Sequence, residues 1–182
     1  MLAFYTYILP WFSIFFLACR MENQEPKIMV QHIQYTANNS CGEVDTIYSF
    51  YSNGAKAMER YIAETNSLGY LKNYYLEGNV RSKGYVEMDK RESWWTEYYS
   101  NGQVESVGQY RKGIPEGYWK YYYKNSNMQS EGYYSQGLKS GWWKLYDLTG
   151  AITEEGNYGH GLKKDTWKHY KLGVLEKIME HE

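Results

Sequence analysis

The sequence has little of what catalytic and nucleic-acid-binding proteins usually display. Lysine and arginine total 20 against 21 aspartates and glutamates, so there is no basic excess to attract phosphate, and nucleic-acid binding is not expected. Only two cysteines occur, without the C-x-x-C spacing of a metal site. Phosphate loops, Walker motifs, nucleophile elbows and zinc signatures are missing. Alanine and leucine are scarce, which argues against a helical fold.

Tyrosine is the residue that the sequence has in excess. There are 22 tyrosines against 5 phenylalanines. Tyrosine combines an apolar ring with a polar tip, and it therefore suits half-buried sheet faces and contact surfaces. Aromatic side chains are also enriched in strands. The composition accordingly favours β structure with a polar, aromatic surface.

The second half of the chain repeats with a period of 24 residues. A fixed period of roughly 20 to 50 residues is typical of repeat arrays. The period extends backwards, where Leu71 and Ile47 take the tryptophan position, so we predict about five units and a partial unit from Trp167. The positions that keep the period are tryptophans (Trp95, Trp119, Trp143, Trp167), tyrosines (Tyr98, Tyr122, Tyr146, Tyr170; Tyr110, Tyr134, Tyr158) and glycines (Gly108, Gly132, Gly156; Gly113, Gly137, Gly161).

Each unit is interpreted as a β-hairpin. The Asn-Gly dipeptide at residues 101–102 is a strong signal for a two-residue turn. With that turn, Tyr99 pairs with Val104 and Trp95 pairs with Gly108, so that the indole covers a residue without a side chain. The sequence therefore predicts an all-β fold in which tandem hairpins form an elongated, twisted antiparallel sheet.

The same register distributes the side chains between two faces. Trp95, Tyr99, Val104 and Gly108, with their counterparts such as Met128 and Ile152, are expected on an apolar face. The other face mixes aromatic rings with Lys120, Lys144, Glu131 and Glu155. These rings either form a contact surface or only support a thin sheet from its second side. We take the following residues of that face as the candidate contact face: Trp94, Tyr98, Tyr118, Tyr122, Trp142, Tyr146 and Tyr170.

The N-terminus has the features of an export signal. Residues 2–18 are almost wholly apolar, and no charge occurs before Arg20. The run ends in Phe-Leu-Ala-Cys, which resembles a bacterial lipobox, although no lysine or arginine precedes it. We predict a signal peptide at 1–18, lipidation at Cys19, a tether and a cap strand at 27–36 within residues 19–45, and the repeat array at 46–182. An uncleaved signal anchor is the alternative, and Cys41 is given no functional role.

The repeat pattern resembles a known family. Trp95-Thr-Glu-Tyr-Tyr-Ser-Asn-Gly102, Glu131-Gly-Tyr-Tyr-Ser-Gln-Gly137 and Glu155-Gly-Asn-Tyr-Gly-His-Gly161 are similar to MORN repeats. The closer likeness is to the bacterial variant found in multi-copy lipoproteins and in proteins described as antitoxin components. The resemblance covers roughly residues 46–171. It implies successive hairpins laid side by side, with roles in scaffolding, protein contact or membrane association and rarely in catalysis.

Residues with catalytic chemistry are scattered through the repeats. His160 and His169 occupy positions that sister units fill with unrelated side chains, which is ordinary variation within a repeat. Glutamates at 97, 105, 131, 154 and 155 offer carboxylate pairs of the kind used in glycoside hydrolysis, but solvated strand faces commonly carry such residues. We therefore expect no enzyme activity, no cofactor and no metal.

The sequence thus predicts a membrane-anchored lipoprotein of the bacterial cell envelope, in the outer membrane or facing the periplasm. Its array is expected to bind a protein partner or to act as a scaffold. One alternative is an antitoxin or immunity-type partner that binds a toxin. Another is a cell-wall glycan binder, because Gly141-Trp-Trp-Lys-Leu-Tyr is similar to aromatic cell-wall-binding repeats.

Overall fold

A computed structural model describes residues 28–39, 42–63 and 68–182, with side chains for 45–62 and 68–182. The predicted signal peptide, Cys19 and Cys41 lie outside these residues. Every regular element in the described ranges is a strand. The strands are β1 (Ile28–Asn39), β2 (Gly42–Tyr51), β3 (Lys56–Ala63), β4 (Leu68–Tyr74), β5 (Val80–Glu87), β6 (Lys90–Tyr98), β7 (Val104–Arg111), β8 (Ile114–Tyr122), β9 (Met128–Ser135), β10 (Leu138–Tyr146), β11 (Ile152–Gly159), β12 (Leu162–Lys171) and β13 (Val174–His181).

All strands belong to one open antiparallel sheet. Their order in the sheet is their order in the chain, β1 to β13, so each strand pairs with its sequence neighbours. At a strand spacing of about 4.8 Å, the sheet extends for roughly 60 Å across the strands. The predicted all-β fold of tandem hairpins is therefore confirmed. The predicted cap strand at 27–36 coincides with most of β1. None of the described residues belongs to a helix suited to cross a membrane.

The turn at residues 101–102 differs from the prediction. The Tyr99 amide donates to the Gln103 carbonyl and the Gly102 amide donates to the Tyr99 carbonyl, both at 2.9 Å. Of the residues between Tyr99 and Gln103, only Gly102 has a positive φ, of 84°. The loop therefore has three residues, with a left-handed glycine in its last position. The same pair of hydrogen bonds closes the turns that start at Tyr51, Tyr75, Tyr123 and Asp147.

Two-residue turns occur at the opposite end of the strands. Lys112 and Gly113 both have positive φ, 53° and 84°, as a type I′ turn requires. The pairs at 136–137 and 160–161 have the same conformation. The sheet thus alternates three-residue turns at one end with two-residue turns at the other. The turn at residues 101–102 is therefore in the predicted place, but its predicted length of two residues is wrong.

A bulge beside each three-residue turn restores the predicted pairing in the rest of the hairpin, although the turn is one residue longer than predicted. Tyr98 pairs with Val104, whereas Glu97 pairs with Ser106, so β7 carries one extra residue. Beyond the bulge, Trp95 pairs with Gly108 as predicted. Between the bulge and the turn, the expected faces are exchanged. Val104, Met128 and Ile152, expected beside the tryptophans, pair instead with Tyr98, Tyr122 and Tyr146.

The core of the sheet lies on the tryptophan face, which we define by Trp95, Trp119, Trp143 and Trp167. All four indoles are buried. We expected each indole to cover the glycine of its own hairpin, and this was wrong. Each ring lies over the glycine of the preceding hairpin, because its Nε1 donates to a carbonyl on that side. The covering pairs are Trp95 on Gly84, Trp119 on Gly108, Trp143 on Gly132 and Trp167 on Gly156.

Tyrosines on the same face join successive units. The hydroxyl of Tyr99 donates to the Tyr122 carbonyl at 2.7 Å, and Tyr75 and Tyr123 make the equivalent bonds. The ring of Tyr110 meets Trp119 edge-on at 5.0 Å. Such edge-to-face contacts add to the burial of the rings. The tryptophan face is therefore the packed side of a single-layer sheet, and each unit is fixed to the next.

Candidate functional site

All seven residues of the candidate contact face lie on the side opposite the tryptophan face, which we call the tyrosine face. They are contributed by β6, β8, β10 and β12, the strands that follow the two-residue turns. Trp94 and Trp95 are consecutive on β6, so their side chains point to opposite faces. Trp94 is exposed and Trp95 is buried, in agreement with this. The structure therefore brings the predicted set together on one surface.

The centre of the tyrosine face is held by Glu131. Its carboxylate accepts hydrogen bonds from the hydroxyls of Tyr118, at 2.6 Å, and Tyr146, at 2.8 Å. Burial raises the pKa of Glu131, whereas the hydrogen bonds from the two tyrosines and the charges of Lys120 and Lys144 lower it. The lowering effects are larger in sum, so the pKa of Glu131 lies below its usual value. Burial and the bond to Glu131 raise the pKa of both tyrosines. These hydroxyls therefore stay protonated and fix their rings on the sheet.

The arrangement at Glu131 recurs one unit later and three units earlier. Glu155 accepts from Tyr170 at 2.6 Å, and Glu59 accepts from Tyr61 at 2.6 Å and from Tyr74. The hydrogen bond from Tyr170 is the main reason that the pKa of Glu155 lies below its usual value. Burial raises the pKa of Glu59, but the hydrogen bonds from Tyr61 and Tyr74 outweigh burial, and this pKa is also below its usual value. Part of the tyrosine series is thus structural, because its hydroxyls are committed to carboxylates within the sheet.

The low pKa of Glu131 leads to a prediction for acid stability. A carboxylate with a depressed pKa stabilises the fold above its unfolded-state pKa, and this contribution is lost as the pH falls through the folded-state value. The urea concentration at which half of the wild-type protein is unfolded should therefore decrease once the pH is lowered below 4.5, the ordinary pKa of glutamate. Glu131→Gln keeps an acceptor but does not titrate, so its midpoint should fall less between about pH 6 and about pH 3.

The matched control is Glu77→Gln, which removes an exposed carboxylate in a turn. Its acid-induced loss of stability should equal that of the wild type. If Glu131→Gln loses stability as steeply as the wild type, the proposed role of the Tyr118 and Tyr146 hydrogen bonds is wrong.

Other rings of the tyrosine face are open to solvent. Trp94 is 52% exposed, Trp142 is 40% exposed and Tyr133 is 51% exposed. Tyr133 was not among the predicted residues, although the register could have found it, because it pairs with Tyr118 and their ring centroids lie 4.9 Å apart. Tyr85 occupies the equivalent position two units earlier and is also exposed. Exposed rings on a rigid sheet are suited to contact, whereas the rings bound to carboxylates are not free to reorganise.

A shallow hollow interrupts the pattern of carboxylates. Val107 stands at the repeat position that holds Glu131 and Glu155 in the next two units. Together with Thr96 and Val104 it borders a hollow of about 450 Å³, which Tyr98 and Tyr122 also line. The lining of the hollow is uncharged and mixes Val104 and Val107 with Gln103 and Ser126, with an aromatic ring on either side. The ammonium of Lys83 lies 5.2 Å from the centroid of Tyr98. The sequence does not predict this hollow, because a two-residue turn would put Val104 on the tryptophan face.

Comparisons with known proteins give no family for this chain. No family model matches it, and no curated protein matches it. One solved structure of TarM overlaps with a TM-score of 0.23 and 10% identity, covering 68% of this chain and 19% of that one. A mutant of S. aureus TarM in complex with fondaparinux, alpha-GlcNAc-glycerol and UDP gives a TM-score of 0.27 and 8% identity, covering 72% and 21%. This chain spans about a fifth of each, and likenesses this weak carry no argument. The MORN resemblance stays a prediction.

The histidines and glutamates considered for catalysis are spread along the sheet. His160 is exposed in a two-residue turn, whereas His169 Nδ1 lies 3.3 Å from Glu154. Glu97 forms an ion pair with Arg91 at 2.6 Å. Among the described residues no three histidine, cysteine or acidic side chains form a cluster suited to a metal ion. Of the candidate glutamates, Glu131 and Glu155 lie on the tyrosine face, where their carboxylates accept hydrogen bonds from Tyr118, Tyr146 and Tyr170. The other candidates make their contacts away from these tyrosines, so the set as a whole does not form one site.

Proposed function

We propose that this chain is a non-catalytic binding or scaffold module that presents its tyrosine face to a protein partner. The observation that carries the proposal is the exposure of Trp94 and Trp142 on a surface where carboxylates hold the rings of Tyr118, Tyr146 and Tyr170 in place. Contact surfaces of proteins are enriched in aromatic side chains, and tryptophan and tyrosine supply much of the binding energy. A single-layer sheet stabilised from its tryptophan face does not need these two indoles for its own burial.

The rigidity of this surface also favours binding. The hydroxyls of Tyr118 and Tyr146 are fixed by Glu131, and the strands beneath them are paired on both sides. A partner that docks here does not have to immobilise a flexible loop, so less conformational entropy is lost on association. The rows of rings extend over several strands, which suits an extended contact with a protein surface.

Membrane attachment is the second part of the proposal. It rests on the apolar residues 2–18 and on Cys19, and a mature protein whose mass lacks a diacylglyceryl group at Cys19 would rule it out. With the anchor at Cys19 and the tether before β1, the sheet would be displayed at the surface of a membrane of the cell envelope.

The test of the contact face is a double substitution, Trp94→Ala with Trp142→Ala. Proteins crosslinked to the wild-type chain in native membranes should be lost from the double variant, because two exposed anchoring rings are removed. The thermal midpoint should change little, because both indoles are already largely solvated. Quantitative mass spectrometry of the crosslinked material measures the first effect, and circular dichroism measures the second.

The matched control is Leu148→Ala with Leu162→Ala, which removes two exposed apolar side chains from turns and strand ends. It should leave the crosslinked proteins unchanged. Equal capture by the wild type and by the Trp94 and Trp142 double variant contradicts the proposal, as does equal loss in both double variants.

A glycan remains a second candidate ligand because of the hollow at Val107. Its two aromatic walls, Tyr98 and Tyr122, suit the apolar faces of a sugar ring, and its volume of about 450 Å³ is within the range of small-ligand sites. If soluble cell-wall glycan competes with the crosslinked proteins, the ligand of the tyrosine face is a sugar and not a protein.

A further inference from the structure

A second site is indicated on the tryptophan face, independently of the proposed function. Three cations of that face lie over tryptophan rings. Arg91 lies 4.3 Å from the centroid of Trp95, Lys139 lies 4.2 Å from that of Trp143, and Lys163 lies 4.1 Å from that of Trp167. These cations occupy the same position of the repeat, 24 or 48 residues apart. Cation–π contacts of this kind stabilise the stack of rings.

Lys139 differs from the other two cations in having no carboxylate partner. Arg91 forms an ion pair with Glu97 at 2.6 Å, and Lys163 forms one with Glu154 at 2.5 Å. At the positions equivalent to these two acids, the unit of Lys139 carries Leu145 and Ser130. Among the side chains that the structure describes, the Lys139 ammonium has no ion-pair or hydrogen-bond partner. Its charge is therefore not compensated inside the sheet.

The surroundings of Lys139 are costly for an uncompensated charge. Lys139 is half-buried, and its ammonium lies over the ring of Trp143 and 5.1 Å from the centroid of Tyr158. Burial, and after it the charge of Lys163, holds the pKa of Lys139 below its usual value. A partly desolvated ammonium gains more from an anion than one that is fully hydrated.

A hollow of about 490 Å³ lies beside Lys139, where the missing acids would point. Its lining includes Tyr121, Gln129, Ser130, Tyr134 and Leu145. The Tyr121 hydroxyl donates to the Tyr134 hydroxyl at 3.2 Å, and this bond does not use the hydrogen of Tyr134. An ammonium, a hydroxyl and an amide thus line one hollow.

On the far side of Lys139 a second hollow of about 420 Å³ is lined by Lys163, Lys164 and Glu182. Lys163 is already paired with Glu154, and the carboxylate of Glu182 opposes an incoming anion. The hollow that contains Tyr134 is therefore the better anion site of the two.

We propose that Lys139, Tyr134 and Gln129 bind an anionic group, a carboxylate or a phosphate carried by a small polar ligand. The ligand takes the place of the carboxylate that Glu97 or Glu154 supplies in the other units. Its remaining polar groups face Ser130, and its apolar parts lie against Leu145.

The site is tested by titrating the intact chain with inorganic phosphate and, separately, with glucuronate at constant ionic strength. The Trp143 indole signal in ¹⁵N NMR should shift and saturate with a dissociation constant below about 10 mM for at least one probe. Lys139→Met, which keeps the stem over Trp143, should weaken binding at least about tenfold. Lys139→Arg should retain binding, because Arg91 fits the same repeat position.

A second variant keeps the test decisive if Lys139→Met folds poorly. Leu145→Glu places a carboxylate at the repeat position of Glu97, so that it can pair with Lys139 as Glu97 pairs with Arg91. The variant should therefore weaken the binding of both probes at least about tenfold, and its thermal midpoint should be equal to or higher than that of the wild type. The tighter of the two probes identifies the anionic group. Failure of both probes to saturate in the wild type overturns the proposal, and so does an unchanged affinity in Lys139→Met or Leu145→Glu.

Discussion

Replacement of Trp143 by alanine is expected to lower the free energy of unfolding by about 3–5 kcal/mol. The indole has 0% of its surface exposed and lies directly over Gly132. Its Nε1 donates to the Tyr133 carbonyl at 3.0 Å, and the rings of Tyr134 and Tyr158 meet it edge-on at 5.3 Å and 5.9 Å. A single-layer sheet has no second layer that could collapse into the space left by the ring, so little of the loss is recovered.

The adjacent tryptophan provides the control. Trp142 lies on the tyrosine face and is 40% exposed, so Trp142→Ala should change the free energy of unfolding by less than about 1 kcal/mol. Urea unfolding followed by circular dichroism measures both variants. Similar losses for Trp142→Ala and Trp143→Ala would mean that the two faces of the sheet do not differ in the way the structure describes.

The effect of Trp143→Ala should also be local. In a repeat array each unit contacts only its neighbours, so stability is close to a sum over units and their interfaces. Hydrogen exchange should therefore accelerate most in β9, β10 and β11, which surround the indole, and least in β4 and β5. Uniform acceleration along the whole sheet would show that the array unfolds as a single cooperative unit.

The fold was predictable because the period of 24 reports one supersecondary unit repeated along the chain. The pairing of Trp95 with Gly108 followed from that period and the position of the turn, and it was confirmed. The direction of the indole was not predictable, because Trp95 pairs with a glycine on both sides, Gly84 and Gly108. Only the hydrogen bond from Nε1 to the Tyr85 carbonyl selects Gly84.

The bulge explains most of what the sequence missed. An Asn-Gly dipeptide fits either a two-residue turn or a three-residue turn whose last residue is glycine, and the second adds one residue to β7. One extra residue is enough to move Val104 from the predicted face to the other. The hollow between Tyr98 and Tyr122 depends on that residue, so it could not be found without the backbone.

The candidate contact face could be predicted from the sequence, whereas the anion site at Lys139 could not. Trp94 and Trp142 follow from alternation along a strand, and the structure places both on the open face as expected. The uncompensated charge of Lys139 does not follow from alternation. Arg91 pairs with Glu97 on β6, and Lys163 pairs with Glu154 on β11, so the two acids come from different positions of the repeat. Only the assembled sheet shows that Lys139 has neither acid beside it.

Gly132→Ala is expected to destabilise the sheet by about 1–3 kcal/mol, because a Cβ there overlaps with a buried ring. The added carbon would lie 2.3 Å from Cδ2 of Trp143, and the indole is held by its bond to the Tyr133 carbonyl. In an unobstructed strand, alanine is better than glycine by about 0.5–1 kcal/mol, so a net loss can only come from the overlap. Urea unfolding gives the value.

The control is Gly141→Ser, where nothing lies within 4 Å of the added Cβ and φ is +64°. Ser93 adopts the same conformation, with φ of 58°, at the same repeat position, so this change should cost less than about 1 kcal/mol. Combining Gly132→Ala with Trp143→Ala should cost less than the sum of the two, because alanine at 132 then occupies the space of the missing indole. If the losses in free energy of unfolding are additive, Gly132 and Trp143 act independently. The contact between the indole and the glycine would then not explain why both residues recur every 24 positions.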